Sequence, residues 1–489
     1  VKTPLLLLAA LALATACGDP PDTAADDAGA GAPPTPTADR DTGANDVTWD
    51  APGAGNPVLP GYYADPTALV HDGRVYIFAT TDGPAWGATE VSVWHSDDLR
   101  RWTHQALDWP RPGAVPGAEV VDVWAPDVVR GPDGRFYLYI SIDQEIWAGV
   151  ADHPLGPWRN LLDEPRPLVE REFDEEVHHI DAHAFIDDDG RAYLYWGSGW
   201  DWERGPAYFA PLAPDMHTFA EPPRRIHPPN FFEGPYMIKR SGRYLLMYSD
   251  GVVSEPSYRI RYAWAPEPAG PWTEPEASPI LVTSADSTVH GPGHHSVLRW
   301  EDEDYLVYHR DANPHQGMAY RQVCIDRLEY DDEGLIRRVV PTHRGGLPPV
   351  PDRRPANRAR AGAASASVEA APHAAARAVD DNYGTRWAAP DGVWPAWWQV
   401  DLGSDVEIGR VRIEPEYATK TYRYRVEVSD DGERWRRFGE ASGGARRGSP
   451  LTARGRDRAR WVRVTFEGGS DVTADRASIW EVQVEAPGP

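Results

Sequence analysis

Cysteine is almost missing from this chain: Cys17 and Cys324 are the two among 489 residues. A fold stapled by a disulfide framework is thereby excluded. Positive charge is also scarce, with 49 Lys+Arg against 75 Asp+Glu and a formal charge of -26. Nucleic acid is an unsuitable partner for such a surface, because phosphate binding needs concentrated cations. The apolar run Leu5–Leu13 falls well short of the roughly 20 residues that a membrane-spanning helix needs. Long helical periodicity is lacking too, which leaves short alternating strands to build the fold.

What is plentiful is aromatic: 21 Trp and 21 Tyr. Flat amphipathic rings of this kind pack strands together and also stack on sugar faces. Many of them fall in a unit repeated five times, in which a glycine-bearing or acidic turn feeds an aromatic strand. The units are Asp72–Phe78, Asp133–Tyr139, Asp189–Tyr195, Ser241–Leu246 and Glu301–Tyr308. Their tyrosines, Tyr76, Tyr137, Tyr193, Tyr244 and Tyr305, recur at intervals of 51 to 61 residues. Intervals of that length, filled with short strands, predict the blades of a propeller.

Ten to twelve residues before each tyrosine, on the strand that opens the unit, stands a polar residue: Asp65, Asp127, Asp181, Glu233 and His294. In a radial array the opening strands line the central channel. Four carboxyls and an imidazole are therefore expected to meet in one small volume. Any one of them alone would read as a turn or blade cap, but the shared register points to a site.

Residues 1–16 carry Lys2, the apolar run and Ala14-Thr15-Ala16 ahead of Cys17, the pattern of a secretory signal. Cys17 after small residues resembles a bacterial lipobox, implying lipidation of Cys17 and an exported lipoprotein, periplasmic or on the cell surface. Ordinary cleavage and a soluble secreted protein is the alternative. Residues 17–56, rich in Ala, Asp, Gly, Pro and Thr, read as a disordered tether. Cys324, inside the strand-like 319–325, is expected to be a buried thiol.

The propeller is expected over 57–347, a linker of Pro, Arg and Ala over 348–364, and an all-β sandwich over 365–489. The stretch 363–378 is expected to be irregular with at most a short helix, because Pro372 and scattered small residues give no wide apolar stripe.

The motifs Gly61-Tyr62-Tyr63-Ala64-Asp65-Pro66, Ile180–Asp187, Phe232-Glu233-Gly234-Pro235-Tyr236 and Gly293-His294-His295-Ser296 resemble those of glycoside hydrolase family 43. The resemblance implies a five-bladed β-propeller that hydrolyses glycosidic bonds, with α-L-arabinofuranosidases, β-xylosidases, arabinanases and exo-galactanases among its members. Carried over residue by residue, it implies Asp65 as general base, Glu233 as general acid and Asp181 as the carboxylate that orients the acid and adjusts its pKa. His294 matches a histidine at the bottom of the pocket that touches substrate, or a structural calcium ion through water. Asp127 and Trp124 lie in a family-like segment, and Tyr63, Trp86 and Arg310 are further substrate-binding candidates.

The chemistry agrees with these roles. Hydrolysis with inversion needs an acid at the departing oxygen and a base for water on the opposite face, roughly 6.5–9.5 Å apart. A nearby third carboxylate would raise the acid's pKa by like-charge repulsion. No cofactor is expected for the reaction. Exo release of arabinose or xylose from plant or microbial polysaccharides is the leading expectation, with exo-β-galactanase or endo-arabinanase as alternatives, and a non-catalytic glycan-binding protein as the reading from another class. Trp86, Trp147, Trp200 and Trp202 are expected to wall off a short pocket.

The C-terminal text Val379–Trp387, Trp398–Gly403, Tyr424–Gly432 and Arg460–Val464 resembles the discoidin, or coagulation factor 5/8 type C, domain and family 32 carbohydrate-binding modules. That resemblance implies a binding role, with a calcium ion at the turn carrying Asp380. Trp394 is a candidate for sugar stacking.

Overall fold

The structure, a computed structural model, describes residues 47–83, 87–113, 115, 120–317, 319–347, 356–439 and 444–488. Cys17 and Trp86 lie outside them, as do residues 1–46 and the first part of the expected linker.

Five antiparallel sheets follow one another along the chain, as the repeat predicts. Blade 1 comprises Tyr63–His71, Arg74–Thr81, Ser92–Ser96 and Thr103–Ala106. Blade 2 comprises Trp124–Arg130, Phe136–Ile142, Glu145–Ala151 and Arg159–Asn160; blade 3, His183–Ile186, Ala192–Trp196, Ala207–Leu212 and Arg224–Ile226. Blade 4 has Glu233–Arg240, Arg243–Asp250 and Arg259–Ala265, and blade 5 has Gly293–Trp300, Glu303–Asp311 and Arg321–Leu328.

The five repeat tyrosines are all buried. Their phenols explain the acid in several of the turns: Tyr137 donates to Asp133 at 2.7 Å and Tyr305 to Glu303 at 2.9 Å. A ring that fills the gap between blades thus also satisfies its polar tip. Apolar faces of neighbouring blades interlock, Phe78 and Val93 with Val128, Leu138 and Ile140 for instance. Each such side chain removed from water contributes on the order of 1.5–3 kcal/mol.

The ring closes where residues 56–58 meet the last strand of blade 5, and the stretch 47–56, expected to belong to the tether, is instead held by Asn382, Asp380 and His343. Val58 N–H donates to Val323 at 2.9 Å, and the Asn56 side chain both accepts from Ile325 N–H and donates to Ile325 and Thr342 carbonyls. Cys324 is buried in that strand, as expected.

The C-terminal unit is one eight-stranded antiparallel system. Its two longest strands, Ala396–Pro415 and Leu451–Glu467, change register between Asp401 and Val406. There the sheet folds over a core of Trp387, Trp398, Val426, Val462, Val464 and Ile479. This unit begins earlier than 365. Ala363–Ala366 is an edge strand paired with Trp398–Asp401, and Asn357 bonds to Glu481 and Val482. Small residues suit an edge strand lying flat on the long one, which periodicity in a run of alanines does not reveal. The expected short helix is present as a single 3₁₀ turn, Ala375–Ala378.

The sandwich is packed hard onto blades 1 and 5. Tyr62 meets Trp480 at 5.4 Å, Tyr417 at 5.9 Å and Tyr320 at 5.0 Å between ring centroids. Beneath them Glu416 is buried between Arg386 at 3.1 Å and Arg476 at 2.8 Å. A fully desolvated carboxylate of this kind is tolerated only because both guanidinium groups compensate it.

Candidate active site

Each opening strand is interrupted near its channel end, and the interruption decides what faces the channel. In blades 1, 2, 4 and 5 the pairing shifts register after Ala64, Trp124, Glu233 and Gly293. The residue that follows has a positive φ: Asp65 at 50°, Ala125 at 48°, Gly234 at 61° and His294 at 32°, with Asp181 of blade 3 at 62°. Such a bulge re-aims a side chain. Non-glycine residues persist in this conformation only where their surroundings over-determine it.

Hydrogen bonds supply that constraint. The bulge N–H of one blade donates to a side chain on the second strand of the blade before it. Ala125 donates to Thr80 at 2.7 Å, Asp181 to Ser141 at 3.2 Å, His294 to Ser249 at 2.9 Å and Asp65 to His309 Nδ1 at 3.2 Å. Blade 3 has Gly197 where a partner for Gly234 would stand, and Asp181 Oδ2 accepts from Gly234 N–H instead, at 3.2 Å.

The structure therefore brings Asp65, Asp181, Glu233 and His294 together. His294 Nδ1 lies 3.3 Å from Asp65 Oδ1 and 3.5 Å from Asp181 Oδ2. Asp181 holds the backbone beside Glu233 through Gly234. Glu233 accepts from Tyr258 Oη at 2.8 Å and from Ser198 Oγ at 2.9 Å. Gly293 makes this possible, since a Cβ there would lie 1.9 Å from the Tyr258 ring. Among the described residues no hydrogen bond joins Asp65 to Glu233.

The three carboxyls are buried, yet their proton affinities diverge. Burial alone would raise Asp65, but the Arg321 guanidinium, 3.0 Å away, and then His294 hold it well below the usual carboxylate range. Arg321 is itself fixed by Asp82, which takes its Nε and Nη2 at 2.9 Å each. Glu233 is pushed up, by burial first, with Tyr258, His294 and Ser198 pulling against it and Asp65 adding to the rise. Asp181 is pushed up to about 8, again by burial first, with His294 opposing and Glu233 and Asp65 adding. Burial is the first cause of the rise at both Glu233 and Asp181, and the two carboxyls also repel one another, as Asp65 repels each of them.

The two histidines behave oppositely. Burial would lower His294, but Asp181 and Asp65 raise it to about 9, so it stands as an imidazolium between carboxyls. Burial, with Arg321 beside it, lowers His309 to about 4. Its ring is neutral and Nδ1 accepts the Asp65 N–H. The His309 ring lies parallel to Tyr258 at 5.9 Å, linking the partners of Asp65 to those of Glu233.

Other candidates sit elsewhere. Asp127 lies two residues past its bulge and is consumed between blades: it accepts from His183 Nδ1 at 3.1 Å, Ala184 N–H at 2.8 Å and Thr67 Oγ1 at 3.2 Å. Tyr63 points into the core of blade 1 against Trp94, because alternation turns it away from its neighbour. Arg310 is fully buried and ties Thr288, His343 and Asn56 together at the ring closure. Trp147 is a buried strand residue of blade 2. Trp394 packs on the sandwich core and over Gly468, where a Cβ would lie 2.9 Å from it.

Trp124, Trp200 and Trp202 form an aromatic group around His178, with Trp200 stacked on that ring at 4.4 Å. Trp200 and Trp202 are 45% and 37% exposed, two and four residues beyond Ser198. Arg321, His309, Tyr258, Ser198 and Asp82 had no signal in the sequence. Arg321, Tyr258, Ser198 and Asp82 lie at a strand end or in loops and are placed by topology, and His309 lies within the second strand of blade 5.

The turn at Asp380 is the expected calcium site. Asp380 Oδ1 is buried without a hydrogen-bond partner, and burial pushes its carboxyl up to about 6. Glu481 is raised well above the usual range, by burial and then by Asp381 and Asp380, and accepts from Asp381 N–H at 3.1 Å. Two buried acids and an orphaned oxygen at one turn fit a hard cation with oxygen ligands.

Two buried carboxyls whose proton affinities are pushed apart, Asp65 down and Glu233 up, are the arrangement that glycosidic-bond cleavage through carboxyl groups requires. Residues 54–336 match the Glycosyl hydrolases family 43, and the chain belongs to that family. Residues 377–483 match the NedA-like, galactose-binding domain. The chain is 33% identical over 305 residues to a β-D-galactofuranosidase of Aspergillus niger, covering 60% of this chain and 86% of that one. It is 29% identical over 342 residues to a xylosidase/arabinosidase of Thermoclostridium stercorarium, covering 61% and 69%. A solved glycoside hydrolase superposes with a TM-score of 0.75 at 27% identity, covering 89% of this chain and 99% of that one.

Proposed function

We propose that this glycoside hydrolase is exo-acting and inverting, and that it releases terminal α-L-arabinofuranosyl or β-D-xylosyl units from plant or microbial polysaccharides or their fragments. Asp65 deprotonates the attacking water, Glu233 protonates the departing oxygen, and Asp181 and His294 position them. The observation that carries this reading is the split in proton affinity between Asp65, beside Arg321, and Glu233, buried under Tyr258 and Ser198. Opposed environments for two carboxyls support this choice of base and acid. Trp200 and Trp202 follow Ser198, a partner of Glu233, by two and four residues and are part-exposed, so they suit a stacking wall for sugar and support cleavage at a chain end.

A second reading is release of β-D-galactofuranosyl units, favoured by the 33% identity to the Aspergillus niger galactofuranosidase. Its ring has the configuration of an α-L-arabinofuranose and differs in a longer exocyclic tail. Assay of the nitrophenyl α-L-arabinofuranoside, β-D-xyloside and β-D-galactofuranoside separates the readings. Turnover of the galactofuranoside alone would replace the first with the second. Proton NMR of the first-released sugar is expected to show the anomer opposite to the substrate's, and retention would overturn the water-activating role of Asp65.

The Asp380 turn would hold a structural Ca2+, which takes no part in the chemistry, and the sandwich would bind carbohydrate. Export with Cys17 lipidated rests on residues 1–17 of the sequence.

A further inference from the structure

Blade 5 carries a second constellation that the hydrolytic reading does not use. Asp311 ends the strand Glu303–Asp311, and its side chain is 1% exposed. One oxygen, Oδ2, lies 2.7 Å from His290 Nδ1 and 3.3 Å from His315 Nδ1. The three ligand atoms all lie within 4.8 Å of one another. The other oxygen, Oδ1, accepts from Ser254 Oγ at 3.2 Å, and Asp311 N–H donates to His290 at 3.0 Å. Gly291, at φ 53°, leaves the space beside Oδ2 open, where a Cβ would come within 3.2 Å.

We propose that His290, Asp311 and His315 bind a late first-row divalent ion, Zn2+ in the first instance. Two imidazole nitrogens and one carboxylate oxygen are the donor set that such ions prefer, whereas Ca2+ and Mg2+ demand more oxygen ligands. In a tetrahedral zinc site the ligand atoms stand roughly 3.4 Å apart, from bonds of about 2.0–2.2 Å. Rotation of His290 away from its 2.7 Å contact opens that space. Ser254 orients the carboxylate from the second shell, a part usually present in built sites. His315 is 46% exposed, so the ion can enter from solvent.

The ion would clamp three segments: the connection entering blade 5 at His290, the end of its second strand at Asp311, and the stretch carrying His315. Asp311 pairs across the ladder with Arg321, which holds Asp65. The site is a structural clamp whose ligands are not the carboxyls proposed to act on sugar.

Isothermal titration of the untagged, chelator-treated full chain with zinc chloride tests this. One saturable equivalent is expected for the parent, together with a rise in Tm on adding zinc. His290→Gln and His315→Gln should each weaken binding by at least about tenfold, and the double variant should lose both the binding and the Tm rise. Magnesium chloride should give neither, and any uptake of calcium at the Asp380 turn should be the same in the parent and the double variant. No uptake by the parent would overturn the proposal, and so would uptake by the folded double variant as tight as the parent's.

Discussion

Blades 1 and 2 carry the same fold and opposite consequences. At the bulge of blade 1 stands Asp65, facing the channel; at the bulge of blade 2 stands Ala125, with the same φ and the same bond to the preceding blade replaced only in its acceptor. The blade 2 carboxylate, Asp127, falls two residues later and knits blades 1, 2 and 3 together. Spacing from the repeat tyrosine is nearly equal for the two aspartates. Position relative to the bulge is what separates chemistry from architecture.

The comparison can be broken most forcefully at its reactive members. Glu233→Gln and Asp65→Asn should each lower turnover of natural linkages by about 10²–10⁴-fold, the usual worth of a general acid or base. Glu233→Gln should spare nitrophenyl substrates, whose leaving group needs no proton, and equal loss on both classes would remove Glu233 as the acid.

Arg321→Met sharpens the contrast through pH. Asp65 must be ionised to act, and Arg321 keeps its pKa low. Losing that cation raises the pKa, so the acid limb of kcat/KM should move to higher pH while the alkaline limb, set by deprotonation of Glu233, stays. An unmoved acid limb would show that Asp65 is not the group titrating there.

Asp127→Asn should do the reverse of Asp65→Asn. An amide cannot satisfy three donors, so about 1–3 kcal/mol of stability should go, read as a lower urea midpoint, with both pH limbs in place. A shifted limb with unchanged stability would return Asp127 to the chemistry. The smallest effect is expected from Trp200→Ala. Loss of a stacking platform worth about 0.5–1.5 kcal/mol should raise KM for oligosaccharides several-fold and leave nitrophenyl glycosides untouched; an equal effect on both would move Trp200 out of the leaving-group side.

Much of this was legible early because a repeat multiplies weak signals. One Asp-Gly-Arg-x-Tyr turn means little, but three of them and two related turns before a tyrosine predict blades, and the opening strands then point to Asp65, Asp127, Asp181, Glu233 and His294, of which all but Asp127 meet. Tyr63 and Arg310 were misplaced for a common reason: adjacency to a motif says nothing of which face a strand residue takes. Arg321 escaped because its partner Asp65 lies 256 positions away. The early start of the sandwich escaped because alanine carries no strand signal.

Composition and repeat thus determined the class of fold, the blade count and the residue types gathered at the channel, since strand periodicity and turn chemistry act over a few neighbours. Tertiary structure decided which carboxyl is pushed towards ionisation, which away from it, and which merely holds blades together. Those outcomes depend on burial, on a bulge of one residue and on charges brought from distant strands, all of which exist only once the ring has closed.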